Sequence, residues 1–154
     1  MTRDEVDNVV RQALDELITE HAHLIEVDAN ERSISHFLAL CLQRKISTWG
    51  SGLSVDVEYN RDGHVPKRLT LPSRATSDQD TAATTVFPDI IVHERGCNSR
   101  NVLVIEMKKT DSDCSYDHTK LRAFRSQLGY QFAVQVVVGL KKNGRPGCEL
   151  SFID

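Results

Sequence analysis

The stretch FPDIIVHERGCNSRNVLVIEMKK, Phe87 to Lys109, holds two apolar runs around a turn-like ERGCNSR segment. It predicts two paired strands, Val86 to His93 and Asn101 to Lys108, at the centre of a sheet. Both runs carry charge, and charged side chains seldom sit in buried strands unless they are paired or bind a metal. Alternation puts Glu106 and Lys108 on one face with Val102 and Val104, and turns Leu103, Ile105 and Met107 to the core. Asp89 follows Pro88, a residue suited to a strand start or an edge. Pairing brings Asp89 close to Glu106 and Lys108, and two such carboxylates repel unless a cation lies between them. Their hard oxygens suit Mg²⁺ or Mn²⁺ rather than zinc. An exposed cross-strand salt bridge is the alternative, and two acids facing one base within apolar strands make it the weaker account.

The rest of the chain reads as one mixed α/β domain. Val6, Val9, Val10, Ala13, Leu14, Leu17 and Ile18 recur at helical spacing. A second helix is predicted from Asp28, where Asp28 and Glu31 have capping-box spacing and Ile34, Phe37, Leu38, Cys41 and Leu42 form the stripe. LSVDVEYN alternates as a strand that ends at the Asp62-Gly63 turn. The polar segment 65–86 predicts a strand and a mobile loop holding Lys67, Arg68 and Arg74. Beyond the central pair, a helix from about Asp117 presents Leu121, Phe124 and Leu128. FAVQVVVGL follows as a buried strand, and Asn143-Gly144 turns the chain into CELSFI. The domain spans 1–154, with 1–27 a helical extension and 28–154 the core.

Composition narrows the setting. Residues 1–31 carry nine acidic and two basic side chains while the whole chain has a net charge of −3, so the body is mildly basic. Only local basic patches are available for phosphates. Cys41, Cys97, Cys114 and Cys148 show no zinc spacing and predict free thiols in a cytoplasmic setting. No apolar run approaches a membrane span, and MTRDEVDN does not read as a signal.

Pro88-Asp89 followed by Glu106-Met107-Lys108 at the end of an apolar strand resembles the PD-(D/E)xK nuclease superfamily. Element order from about Asp28 to Leu140 carries the resemblance over most of the chain. It implies a restriction-endonuclease-like core (αβββαβ), a central mixed β-sheet flanked by helices, with an extra N-terminal helix. It also implies Mg²⁺- or Mn²⁺-dependent hydrolysis of phosphodiester bonds, in DNA first of all, leaving 5′-phosphate and 3′-hydroxyl ends. In those terms Asp89 and Glu106 hold the ion and Met107 lends its backbone carbonyl. Lys108, kept as an ammonium beside two carboxylates, positions the attacking water. An acidic residue on the first core helix completes many such sites, and Glu31 fills that position through a water or a second ion. By helix geometry alone Glu31 serves equally as a capping-box residue worth roughly 1 kcal/mol.

Other positions keep two readings. Lys67, Arg68 and Arg74 form either a solvated face or a strand clamp. Lys120 either opens the late helix, with Asp117 as its N-cap, or reaches a phosphate. Glu58 reads as a surface strand-end residue, His93 as an exposed turn histidine on the face of Asp89, and His21 with His23 as a helix-end pair. The expected partner is nucleic acid, met as a homodimer or within a larger system, since no helix-turn-helix or zinc finger is visible. An inactive nuclease-fold module that only holds nucleic acid stays open. So does a protein-interaction domain whose strand charges are ordinary salt bridges.

Overall fold

In the computed structural model, which describes residues 1–72 and 81–154, a reciprocal capping box between Thr2 and Glu5 opens α1 (Arg3–Glu20). A short α2 (Ala22–Glu26) follows, so His21 and His23 flank a helix junction. The next helix, α3 (Glu31–Lys45), does not start at Asp28. Its cap is Asn30, whose Oδ1 accepts the Ser33 N–H at 2.9 Å. Asp28 lies in the preceding turn with φ at 54°, a conformation that a short polar side chain tolerates. Glu31 is therefore the first helical residue and closes no box with Asp28.

A five-stranded sheet follows in spatial order β1 (Leu53–Val57), β6 (Ile90–Glu94), β7 (Asn101–Lys109), β8 (Phe132–Leu140), β9 (Pro146–Phe152). All neighbours run antiparallel except β7 and β8, which are parallel and joined through α4 (Ser115–Leu128). A small hairpin, β2 (Arg61–Asp62) with β3 (Val65–Pro66), follows β1, and segment 65–86 holds two strands where one was expected, β4 (Arg68–Pro72) paired with β5 (Thr81–Thr85); the loop expected after the first falls on residues outside those described. Arg74 lies outside the described residues. β6 begins at Ile90 rather than Val86, because Pro88 has no N–H to give to a ladder.

Helices cover both faces of the sheet. On one side Ile90, Val92, Leu103, Ile105, Val134 and Val136 pack under α1 and α3, so residues 1–27 share one core with the rest. On the other, Ile91, Val104 and Ala133 meet Leu121 and Phe124 of α4 and Leu69 of β4. Central strands buried on both sides read as unbroken apolar runs, which accounts for VLVIEM and FAVQVVV. The face shared by Val104 and Glu106 is thus core rather than solvent. Val102 leaves it and packs with the α1 and α3 cluster, where the register of β6 shifts between Val92 and His93. No helix among the described residues is long and apolar enough to cross a membrane.

Candidate active site

The last rung between β6 and β7 joins Ile90 to Ile105, yet β7 runs on to Lys109. Among the described residues its final positions have no strand neighbour on that side, and the sheet carries a notch. Asp89 fills it, its Oδ2 accepting the Met107 N–H at 2.7 Å. The N–H and C=O of one strand residue point to the same side, so the Met107 carbonyl faces the notch too. Glu106 and Lys108 project toward α4, which answers with Asp117 and Lys120, three apart on one face. Glu106 Oε2 accepts from Lys120 Nζ at 2.7 Å. Lys108 Nζ stands 3.4 Å from Asp117 Oδ2 and 3.8 Å from Glu31 Oε2, the latter reaching in from the first turn of α3. Asp89, Glu106, Met107, Lys108, Glu31 and Lys120 therefore meet in one place.

Asp117 is the residue that sequence reasoning misplaced. It does not cap α4; Asp113 accepts the Ser115 N–H at 2.9 Å instead, and Asp117 sits inside the helix, 5% exposed. The signal was present: Asp117, Leu121 and Phe124 lie at i, i+4 and i+7, one buried stripe of α4.

Burial dominates the electrostatics. Glu106 is 2% exposed, and its Oε1 has no hydrogen-bond partner among the described residues. Desolvation pushes its carboxyl up to about 8, against the pull of the Lys120 ammonium and with help from nearby Asp89. Asp89 is raised by burial as well, with the Met107 N–H and Lys120 opposing. For Lys108, burial works downward, but Asp117 and Glu31 together raise it, so the ammonium persists. An exposed cross-strand salt bridge does not describe this arrangement.

No protein-family model, curated protein or solved structure matches the chain. What the site can do must be read from its own chemistry. Among the described residues, no three acidic, histidine or cysteine side chains form a ready-made metal group as they stand. The donors themselves suit a hard divalent cation: the Met107 main-chain carbonyl and the carboxylates of Asp89 and Glu106, the latter with its buried Oε1 orphaned among the described residues. A cation here would also relieve the repulsion between Asp89 and Glu106.

The other predicted residues lie elsewhere. Lys67 is no surface clamp: it is 2% exposed, its Nζ donating to the Tyr130 hydroxyl at 2.8 Å. The ammonium also lies over the Tyr59 and Tyr130 rings, and burial lowers its pKa to about 8. Tyr130 precedes β8, whereas Glu106 and Lys108 lie further along, opposite Gln135 and Val137. Arg68 is exposed on β4. His93 is not an exposed turn residue either, because β6 continues to Glu94. It is 3% exposed, with Nε2 2.9 Å from Asp56 Oδ2. Glu58 pairs with Arg32 at 2.7 Å, a strand-end residue as read.

Proposed function

We propose that this chain is a Mg²⁺- or Mn²⁺-dependent nuclease of the PD-(D/E)xK type that hydrolyses phosphodiester bonds in DNA. The observation that carries the reading is Glu106, a nearly inaccessible carboxylate with one oxygen unpartnered, set beside Asp89 and two residues before Lys108. The order α3, β1, β6, β7, α4, β8 supports a restriction-endonuclease-like core. Asp89, Glu106 and the Met107 carbonyl would hold the ion, and Glu31 would act through a water or a second ion. Such an ion, when bound, supplies a more acidic water and positive charge against a phosphoryl oxygen. Lys108 keeps its ammonium at neutral pH, so it orients water and stabilises negative charge growing on the phosphate rather than removing a proton. Lys120 balances Glu106 from the opposite wall and must share that carboxylate with any cation.

Calorimetric titration of Mg²⁺ and Mn²⁺ with and without duplex DNA, followed by gel assay of cleavage, tests the reading. Saturable cation binding and cleavage abolished by a chelator are expected. Heat and cleavage both absent across pH 6 to 9 would sink it. One observation favours a module that binds nucleic acid without hydrolysis: Lys120 already occupies Glu106, as in a site that works without metal. Salt-sensitive DNA binding with no cation heat would identify that case. Lys67→Met is expected to leave DNA affinity within about twofold of wild type, and a salt slope reduced by about 0.9 would return Lys67 to phosphate binding.

A further inference from the structure

Most cations of this protein are already engaged. Arg3, Arg11, Arg32, Arg44, Lys45 and others face carboxylates, Lys67 is held by tyrosines, and Arg122 bonds the Asp154 carbonyl oxygen. Among the described residues, Arg61, Arg68, Lys141, Lys142 and Arg145 alone have neither an ion pair nor a side-chain hydrogen bond. Three of these five crowd into the turn between β8 and β9, and all three are exposed.

That turn lies at the same end of the sheet as the carboxylates. Lys108 pairs with Val137 across parallel strands, so Lys141 sits four residues beyond the site's row. At about 3.3 Å per residue this is roughly 13 Å. The hairpin also faces the right way. Val134, Val136 and Val138 point to the α1 and α3 side, so Val137 and Gly139 point to the side of Glu106 and Lys108. Gly147 pairs with Gly139 and shares that face. A Cβ on Gly147 would come within 2.2 Å of Lys141 Cε, and one on Gly139 within 2.0 Å of Thr110 Oγ1. The Lys141 stem is thus laid along the site's face of the sheet, over Gly147. A groove of about 470 Å³, lined by Val137, Gly139 and Gly147 with Thr110, Lys141 and Lys142, leads from the row of Lys108 to this turn. Asp111 and Glu149 line it as well, so the groove's floor repels a polyanion and only its basic rim offers cations to one.

We propose that the β8–β9 hairpin is the substrate grip, with Lys141, Lys142 and Arg145 holding backbone phosphates of a DNA strand about four nucleotides from the bond at the notch, at about 3.4 Å per strand charge. The inference rests on the nuclease reading and reassigns the phosphate contacts from Lys67, Arg68 and Lys120.

The test measures anisotropy of a labelled 20-base-pair duplex from 50 to 200 mM salt without divalent cation, and cleavage with Mg²⁺. The triple variant Lys141→Ala, Lys142→Ala, Arg145→Ala is expected to bind at least tenfold more weakly. Its log–log salt slope is expected to fall by about 2.7, at about 0.9 per phosphate contact. Arg61→Ala with Arg68→Ala is expected to change neither. Replacing Lys141 and Lys142 by Arg should preserve the slope, which separates charge from fold. Cleavage by wild type with an unchanged slope in the triple variant overturns the grip and leaves the nuclease standing. A slope lost in the triple variant, beside a wild type that binds the duplex but neither cleaves it nor binds cation, supports the grip and overturns the nuclease. Wild type that fails to bind the duplex overturns the grip.

Discussion

Asp89→Asn is expected to slow DNA hydrolysis at least about 10³-fold while leaving the thermal midpoint within about two degrees of wild type. Loss of one well-placed electrostatic contributor commonly costs about 10² to 10³ in turnover, and Asp89 would also be a ligand to the ion. The fold is spared because the asparagine carbonyl oxygen can still accept the Met107 N–H that Asp89 takes at 2.7 Å. Asp89→Ala removes that acceptor and is expected to cost a further 1 to 3 kcal/mol, roughly the penalty for a buried donor left unmade. Single-turnover cleavage beside a melting curve separates the two effects. An Asn variant that keeps activity within threefold of wild type removes Asp89 from the chemistry.

Glu106→Gln has the second large effect, and it runs in opposite directions for activity and stability. Cleavage and cation binding are expected to vanish, since the amide brings no charge. The metal-free protein, however, is expected to melt higher than wild type at pH 8 to 9. Burial holds the Glu106 carboxyl at about 8 in the folded state, against an ordinary 4.5. Between those values the folded protein binds more protons than the unfolded chain, so stability falls as pH rises, by up to about 1.4 kcal/mol per pH unit. It is greatest below the unfolded pKa and is lost as pH climbs through the folded one. Gln cannot ionise and flattens this fall, so the two stability profiles should converge below about pH 4.5, separate progressively up to about pH 8 and run parallel above it. In wild type, a cation binding through Glu106 near pH 7 would have to expel its proton, and a buffer-dependent heat is expected. Stability profiles that stay parallel from about pH 4.5 to about pH 8 would overturn the assignment of this carboxyl.

Which residues were legible follows from how far away their partners lie. Glu106 and Lys108 share a face by alternation along one strand, and Asp89 stands beside a proline that marks where the neighbouring strand starts. The mixed α/β order and the bounds of β8 came from local apolar runs of the same kind. Lys67 failed because its partner, Tyr130, is 63 residues downstream. Nothing local to a lysine announces a tyrosine pocket. His93 failed for a similar reason: β6 outlasted the predicted turn, and Asp56 arrives from β1. The helix caps failed by two residues at α3 and by three at α4, because Asn30 and Asp113 take N–H groups that nearby acids could also have taken and only the backbone path decides.

The notch beside β7 gives this protein a reporter of its own. The Met107 amide proton lies in a central strand, where such protons ordinarily exchange only when the sheet opens. Here it is held by the Asp89 side chain and, among the described residues, by no neighbouring strand. Its chemical shift and its lifetime against solvent therefore follow the charge and position of Asp89 far more closely than global unfolding. A single resonance would follow protonation of the acid and, on the proposed function, arrival of a cation and departure of a product.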